Sequence, residues 1–260
     1  MSECDHHKKD AAECGGRICV IIPTYNNAGT IMQVLSRAMS QSLDIIVVDD
    51  GSTDNTSQLL SSFTNTEKIT VIGYRQNRGK GYALKHGFRK ALAHGYDFAI
   101  TLDSDGQHYP EDIPIFLKAH EAHPDAMIIG DRGMMHDNMP KGNTFANRFS
   151  NFWFYVQTGQ HLTDTQTGFR LYPLKRMRYA RFITSRYEAE LELLVFSAWS
   201  GVELIPVCVR VYYPPTEERV THFRPVADFA RISILNTVLS FLAVFFWLGK
   251  LFTIGKRRNK

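Results

Sequence analysis

From residue 17 onward, short apolar runs alternate with stretches whose apolar positions recur at helical spacing. The runs 18–22, 45–48, 69–74, 98–102 and 126–130 are too short for helices and read as buried strands. Between them, Ile31, Val34, Leu35 and Ala38 mark one face of a helix, and 82–94 reads as another helix ending near Gly95. Asp54 or Thr53 offers a cap for a helix after the second strand. Apolar strands separated by amphipathic helices predict an α/β domain with a mostly parallel central sheet covered on both faces. Ligands in such sheets bind beyond the carboxyl ends of the strands, so polar clusters directly after strands are where chemistry is expected.

The second half changes character. An aromatic-rich helix is expected over 143–159, with Phe145, Phe149, Phe152, Trp153 and Tyr155. A second covers 187–199, and a strand 202–211. The 18 residues 232–249 carry no charge. As a helix they span about 27 Å, the lower limit for crossing a bilayer. Arg231 precedes them, and Lys256, Arg257, Arg258 and Lys260 follow. Basic residues at both ends favour a helix lying in the membrane interface, or embedded with help from a small membrane-protein partner, over a full crossing. A buried core helix is the plainer alternative. The expected division is a flexible tail over 1–16, a catalytic domain over 17–228 and a membrane-associated helix with a basic tail over 229–260.

Composition narrows the function classes. The chain of 260 residues has a net charge of only +4, which argues against a duplex nucleic-acid binder. The polar segment 1–17 has no apolar core of a signal peptide. Cys4, His6, His7 and Cys14 match no common zinc spacing, and Cys19 and Cys208 sit in apolar runs. A reducing, cytosol-facing compartment fits this usage.

Three polar clusters follow strands: Pro23-Thr24-Tyr25-Asn26, Asp49-Asp50-Gly51-Ser52, and Asp103-Ser104-Asp105-Gly106-Gln107-His108. The last places two carboxylates one residue apart with Gln107 and His108 close behind. It is an oxygen-rich set suited to Mg²⁺ or Mn²⁺, ions that also bind phosphate oxygens. Asp50 reads as an acceptor for a nucleobase ring N–H, with Tyr25 stacking or packing beside the base, while Asp49 reads as a turn residue. In Asn77-Arg78-Gly79-Lys80-Gly81 the cations are placed to meet a diphosphate at a helix start, though the segment reads equally well as an ordinary loop. Glu188, Glu190 and Glu192 read first as the polar side of a helix and second as a source of general base.

Taken in order, the segments 22–27, 47–52, 77–81, 103–108 and 164–170 resemble the family-2 inverting glycosyltransferases of the GT-A fold. Within that group the resemblance is greatest to dolichol-phosphate mannosyltransferase and its bacterial polyprenyl-phosphate relatives, and it runs from about Ile18 to Asp228. It implies that Pro23, Tyr25, Asn27, Val48 and Asp50 line a nucleoside pocket. It implies that Asp103, Ser104 and Asp105 meet ribose and diphosphate, and that Asp105 and Gln107 hold the metal. Arg132 matches an arginine beside the donor phosphates, and Arg170 one that receives the acceptor phosphate. Arg219 matches a third, although the residues after it depart from the family pattern and Arg224 is an alternative. The implied activity is transfer of a hexose from GDP-mannose or a UDP-hexose to a lipid-linked phosphate on the cytoplasmic face of a membrane. Transfer to a hydroxyl of a glycolipid or polysaccharide, a noncatalytic nucleotide-sugar-binding module and a nucleotidyltransferase are the competing readings.

Overall fold

The computed structural model describes residues 16–63, 66–133, 141–177, 183–213 and 225–258. The strands are β1 (Ile18–Thr24), β2 (Asp44–Asp49), β3 (Ile69–Gly73), β4 (Phe98–Thr101), β5 (Met127–Asp131), β6 (Arg170–Pro173) and β7 (Leu204–Cys208). The helices are α1 (Ile31–Met39), α2 (Thr56–Ser61), α3 (Lys80–Ala93), α4 (Ile113–Ala122), α5 (Lys141–Thr158), α6 (Leu174–Met177), α7 (Glu188–Trp199) and α8 (Pro225–Arg258).

The seven strands form one sheet in the order β3-β2-β1-β4-β6-β5-β7. Every pairing is parallel except those of β6, which runs antiparallel to both β4 and β5. The period-2 side-chain alternation of a strand divides the core in two. Cys19 and Ile21 of β1, with Ile46 and Val48 of β2, pack under α3 and α7. Val20 and Ile22, with Ile45 and Val47, pack under α1, α2 and α4. Both faces are therefore covered, which is why these strands read as continuous apolar runs.

The expected strands and helices are present, and β6, α4 and α6 come in addition to them. Along the chain 164–170 stands out only as a motif, and the four residues Arg-Leu-Tyr-Pro carry too short a pattern to declare a strand. The helix of the charge-free segment starts earlier and ends later than that segment and has 34 residues. The stretch Ala227–Lys250 is, among the described residues, the one helix long and apolar enough to cross a membrane, with a mean hydropathy of 2.0.

That helix does find part of the core. Leu235, Leu239 and Ala243 are buried against α5 and α7, and Trp199 stacks on Phe246 with ring centroids 5.4 Å apart. Gln157 Nε2 donates to the Asn236 carbonyl and side-chain oxygens at 3.2 and 3.1 Å and to Ser240 Oγ at 3.3 Å. The opposite stripe, Ile234, Val238, Phe241, Phe245 and Leu248, is exposed, as are Phe152, Tyr155 and Val156 of α5. Its spacing of four and three residues is that of a single helix face.

Candidate active site

A cavity of about 700 Å³ opens beyond the carboxyl ends of β1, β2 and β4, within the size range of small-molecule sites. Pro23, Tyr25, Asn27, Asp50, Lys80, Asp103, Ser104, Asp105 and Gln107 all line it. The chain brings these distant segments together through a few hydrogen bonds. The Asp50 N–H donates to the Thr24 carbonyl at 2.8 Å, joining the ends of β1 and β2. Asn27 Nδ2 donates to Ser104 Oγ at 2.8 Å, and Thr30 Oγ1 to the Ser104 carbonyl at 2.6 Å. These two bonds tie the β1 loop to the Asp-Ser-Asp segment.

Asp50 has another use than the one expected of it. Its carboxylate accepts from the backbone N–H groups of Arg78 and Gly79 at 2.7 and 2.8 Å and from Asn77 Nδ2 at 3.0 Å. It anchors the 77–79 loop, so its oxygens are largely taken before any base arrives. Gly51 makes this approach feasible. Its φ is +71°, and a Cβ there would lie 2.5 Å from the Gln76 carbonyl carbon. Asp49 is the turn residue expected: it accepts from the Ser52 N–H at 2.9 Å and from Ser57 Oγ at 2.5 Å. Val48 does not line the cavity. Its side chain is fully buried in the core beneath α3, because strand alternation points it away from the side that carries Val47.

The Asp-x-Asp segment carries the strongest electrostatics. Lys80 Nζ lies 2.6 Å from Asp103 Oδ1 and 3.0 Å from Glu190 Oε2. Burial opposes ionisation of Asp103, but Lys80 outweighs it and holds the carboxyl below the usual range. Among the described residues Asp105 has no such partner. Burial, reinforced by the neighbouring Asp103 charge, pushes its pKa up to about 6. One of its oxygens accepts from the Gln107 N–H at 2.9 Å. His108 turns away from the cavity and packs against Phe169, and burial pulls its pKa down to about 4.

No cluster of three His, Cys, Asp or Glu side chains among the described residues makes a closed metal cage. The donor set of Asp105, the Gln107 amide and the nearby Asp103 is instead the open kind. Mg²⁺ and Mn²⁺ use such sites with one or two carboxylates, completing their shell with substrate phosphates and water. An Asp105 carboxyl that burial and Asp103 keep from ionising freely is also a group that a divalent cation would relieve. The residues present fit such an ion.

The expected phosphate arginines do not line the cavity, although Arg132 lies near enough to act electrostatically on Asp103 and Asp105. Arg132 Nε and Nη2 donate to Asp164 Oδ2 and Oδ1 at 2.6 and 2.9 Å, a bidentate pair outside the cavity lining. Arg170 is fully buried, the largest such side chain in the core. Its Nη1 donates to the Glu190 carbonyl and its Nη2 to the Thr165 carbonyl, each at 2.8 Å. In this conformation an acceptor phosphate does not reach it, a correction to the role that the resemblance implies. Arg219 and Arg224 lie outside the described residues.

The three glutamates of α7 are not a solvated helix face. Glu188, Glu190 and Glu192 are all buried. Glu190 holds Lys80, and Glu192 accepts from the Ile183 and Thr184 N–H groups at 2.8 and 2.9 Å. Asn77, Arg186 and Tyr187 also line the cavity, roles that their place in the sequence does not signal. The nearest hint is the position of the last two at the start of a helix that follows a polar loop.

A model of the family described as Glycosyl transferase family 2 matches residues 19–182. The chain belongs to glycosyl transferase family 2. The family-2 chain is 29% identical over 215 residues to the UDP-N-acetylglucosamine–dolichyl-phosphate N-acetylglucosaminyltransferase of Methanococcus voltae, covering 75% of this chain and 86% of that protein. It is 31% identical over 169 residues to the undecaprenyl-phosphate mannosyltransferase of Micrococcus luteus, covering 62% of this chain and 68% of the relative. Among solved structures it resembles glucosyl-3-phosphoglycerate synthase of Mycobacterium tuberculosis in complex with Mn²⁺, UDP-glucose and phosphoglyceric acid. The TM-score is 0.62 at 19% identity, with 91% of this chain and 82% of that chain covered. The likeness bears on the fold, which is the GT-A architecture that the motifs imply.

Proposed function

We propose that this glycosyltransferase moves a hexose from a nucleotide-sugar to a lipid-linked phosphate such as a polyprenyl or dolichyl phosphate, with inversion at the anomeric carbon. The observation that carries the reading is the single cavity that unites these segments. Pro23, Tyr25, Asp50 and Asn77 line the same cavity as the Asp103–Gln107 oxygen set, so a nucleoside and its diphosphate can be held together there. Relatives whose names specify dolichyl- and undecaprenyl-phosphate acceptors support the acceptor class.

Asp105 and Gln107 would hold Mg²⁺ or Mn²⁺, which when bound neutralises charge on a departing nucleoside diphosphate. The rest is done by the chain. Asp50 fixes the 77–79 loop, and Ser104 is held at the diphosphate side by Asn27 and Thr30. Lys80 keeps Asp103 ionised and in place. The acceptor phosphate is anionic at neutral pH and attacks from the face opposite the leaving group without a strong general base. Transfer to a hydroxyl would need one. Neither Glu190, paired to Lys80, nor Glu192, bonded to the 183–184 backbone, lines the cavity to supply it.

The exposed apolar faces of α5 and α8 support membrane association with the helix lying in the interface, and we place the active site on the cytoplasmic side. A small membrane-protein partner on the same faces is compatible with this placement. The test crosses a panel of GDP- and UDP-sugars with polyprenyl phosphate and neutral glycolipid acceptors, with and without Mn²⁺, and identifies products by mass spectrometry. Product from the phosphate acceptor alone supports the reading. Product only from hydroxyl acceptors, or donor binding with no turnover on any acceptor, overturns it.

A further inference from the structure

Two cations line the cavity, Lys80 and Arg186. Lys80 is committed to Asp103 and Glu190. The arginines matched to phosphate roles within the described residues are committed too, Arg132 to Asp164 and Arg170 to two backbone carbonyls. Arg186 is different. Its backbone carbonyl accepts from the Ala189 N–H, but among the described residues its guanidinium makes no hydrogen bond or ion pair. The carboxylates that share the cavity do not claim it, because Asp50 is bonded to the 77–79 loop and Asp103 to Lys80. The side chain is half-buried, and its stem lies against Gly79, where an added Cβ would come within 2.7 Å of Arg186 Cγ.

We propose that Arg186 binds the diphosphate of the nucleotide-sugar donor. The inference rests on the donor reading above and adds a residue that lies beyond the span matched by the family model. Its position favours the donor over the acceptor phosphate. Gly79 and Asn77, both held by Asp50, form the nucleoside side of the cavity, and Arg186 packs on that side. A diphosphate joining a nucleoside there to Asp105 and Gln107 would share the cavity that Arg186 lines. A planar guanidinium with several donors suits two phosphate oxygens at once. Its contribution grows as negative charge builds on the leaving diphosphate.

The test is calorimetric titration of the full-length protein in detergent, with Mn²⁺, comparing wild type, Arg186→Ala and Arg186→Lys. GDP, UDP and the bare nucleosides guanosine and uridine are the probes, and the KM for polyprenyl phosphate is measured alongside. Arg186→Ala is expected to weaken diphosphate binding by about 10- to 100-fold, the range of a charge-assisted hydrogen bond or pair of them. Nucleoside binding and melting temperature should stay at wild-type values, and Arg186→Lys should fall between. Unchanged diphosphate affinity in Arg186→Ala overturns the proposal. So does a loss confined to the acceptor KM, which would assign the residue to the acceptor phosphate. An equal loss for nucleoside and diphosphate, or a lowered melting temperature in both variants, overturns it in favour of a structural role. If wild type binds neither GDP nor UDP, the donor reading itself fails, and the Arg186 assignment fails with it.

Discussion

Lys80 Nζ lies 2.6 Å from Asp103 Oδ1, so the first carboxylate of the Asp-x-Asp pair is neutralised by the chain itself, while Asp105, two residues on, is not. The same ammonium reaches Glu190 on α7, joining three elements at one charge. Gly168 is part of this arrangement, because a Cβ there would lie 2.5 Å from Asp103 Oδ2 and 2.6 Å from Lys80 Nζ.

Removing that cation leaves two largely buried carboxylates uncompensated. Lys80→Met is expected to lower folding stability by about 3 kcal/mol, the lower end for breaking a buried ion pair. Urea unfolding measures it, and adding Glu190→Gln should recover part of the loss. Stability equal to wild type would mean that solvent screens the pair.

Asp105 behaves in the opposite way. Asp105→Asn removes a carboxyl whose ionised form is disfavoured by burial and by Asp103. Its melting temperature in chelator is expected to match or exceed that of wild type. Turnover with Mn²⁺ should fall on the order of 100-fold or more, in line with losing one electrostatic stabiliser of a leaving group. A variant that keeps Mn²⁺-stimulated activity would remove Asp105 from the metal site.

Arg170→Ala is expected to act on the fold. The guanidinium holds the Thr165 and Glu190 carbonyls in the core, and their loss should cost about 3 kcal/mol. Thermal unfolding should drop, with donor and acceptor affinity failing together as the folded fraction falls. A stable variant with only a raised acceptor KM would restore the acceptor-phosphate role.

The two stripes of α8 should separate by experiment. Phe241→Asp with Phe245→Asp alters the exposed stripe and is expected to shift the protein from pelleted anionic liposomes to the supernatant with little change in melting temperature. Leu239→Ala alters the buried stripe and should cost about 2–5 kcal/mol without changing liposome partitioning. Liposome binding that survives both substitutions would defeat the interfacial reading of this face.

Much of the site was legible in the chain because its parts follow strand ends. Runs such as 18–22 and 45–48 are apolar throughout, so the polar residues after them had to face the carboxyl edge of a parallel sheet. That logic put Tyr25, Asp50 and the 103–107 oxygen set at one edge, and the family resemblance added Asn27. It could not separate residues that face the cavity from residues that hold its walls. Val48 shares a motif with Asp50 yet points into the core, and β6 was hidden because four residues give no measurable period.

The sequence by itself determined the α/β layering, the family and the oxygen-donor segment, since each rests on local spacing and residue type. Only the tertiary structure decided which charges are already spent. Asp50, Lys80, Arg132 and Arg170 read alike as ligand-binding groups along the chain. Each is claimed by a partner 5 to 110 positions away, through contacts that local pattern does not encode. Arg186 carried no motif signal, and it became conspicuous because folding brings its guanidinium to a cavity whose other charges are largely paired. A buried charge must be compensated by whatever the fold places beside it, so the pairing of charges is a property of three-dimensional proximity and not of sequence order.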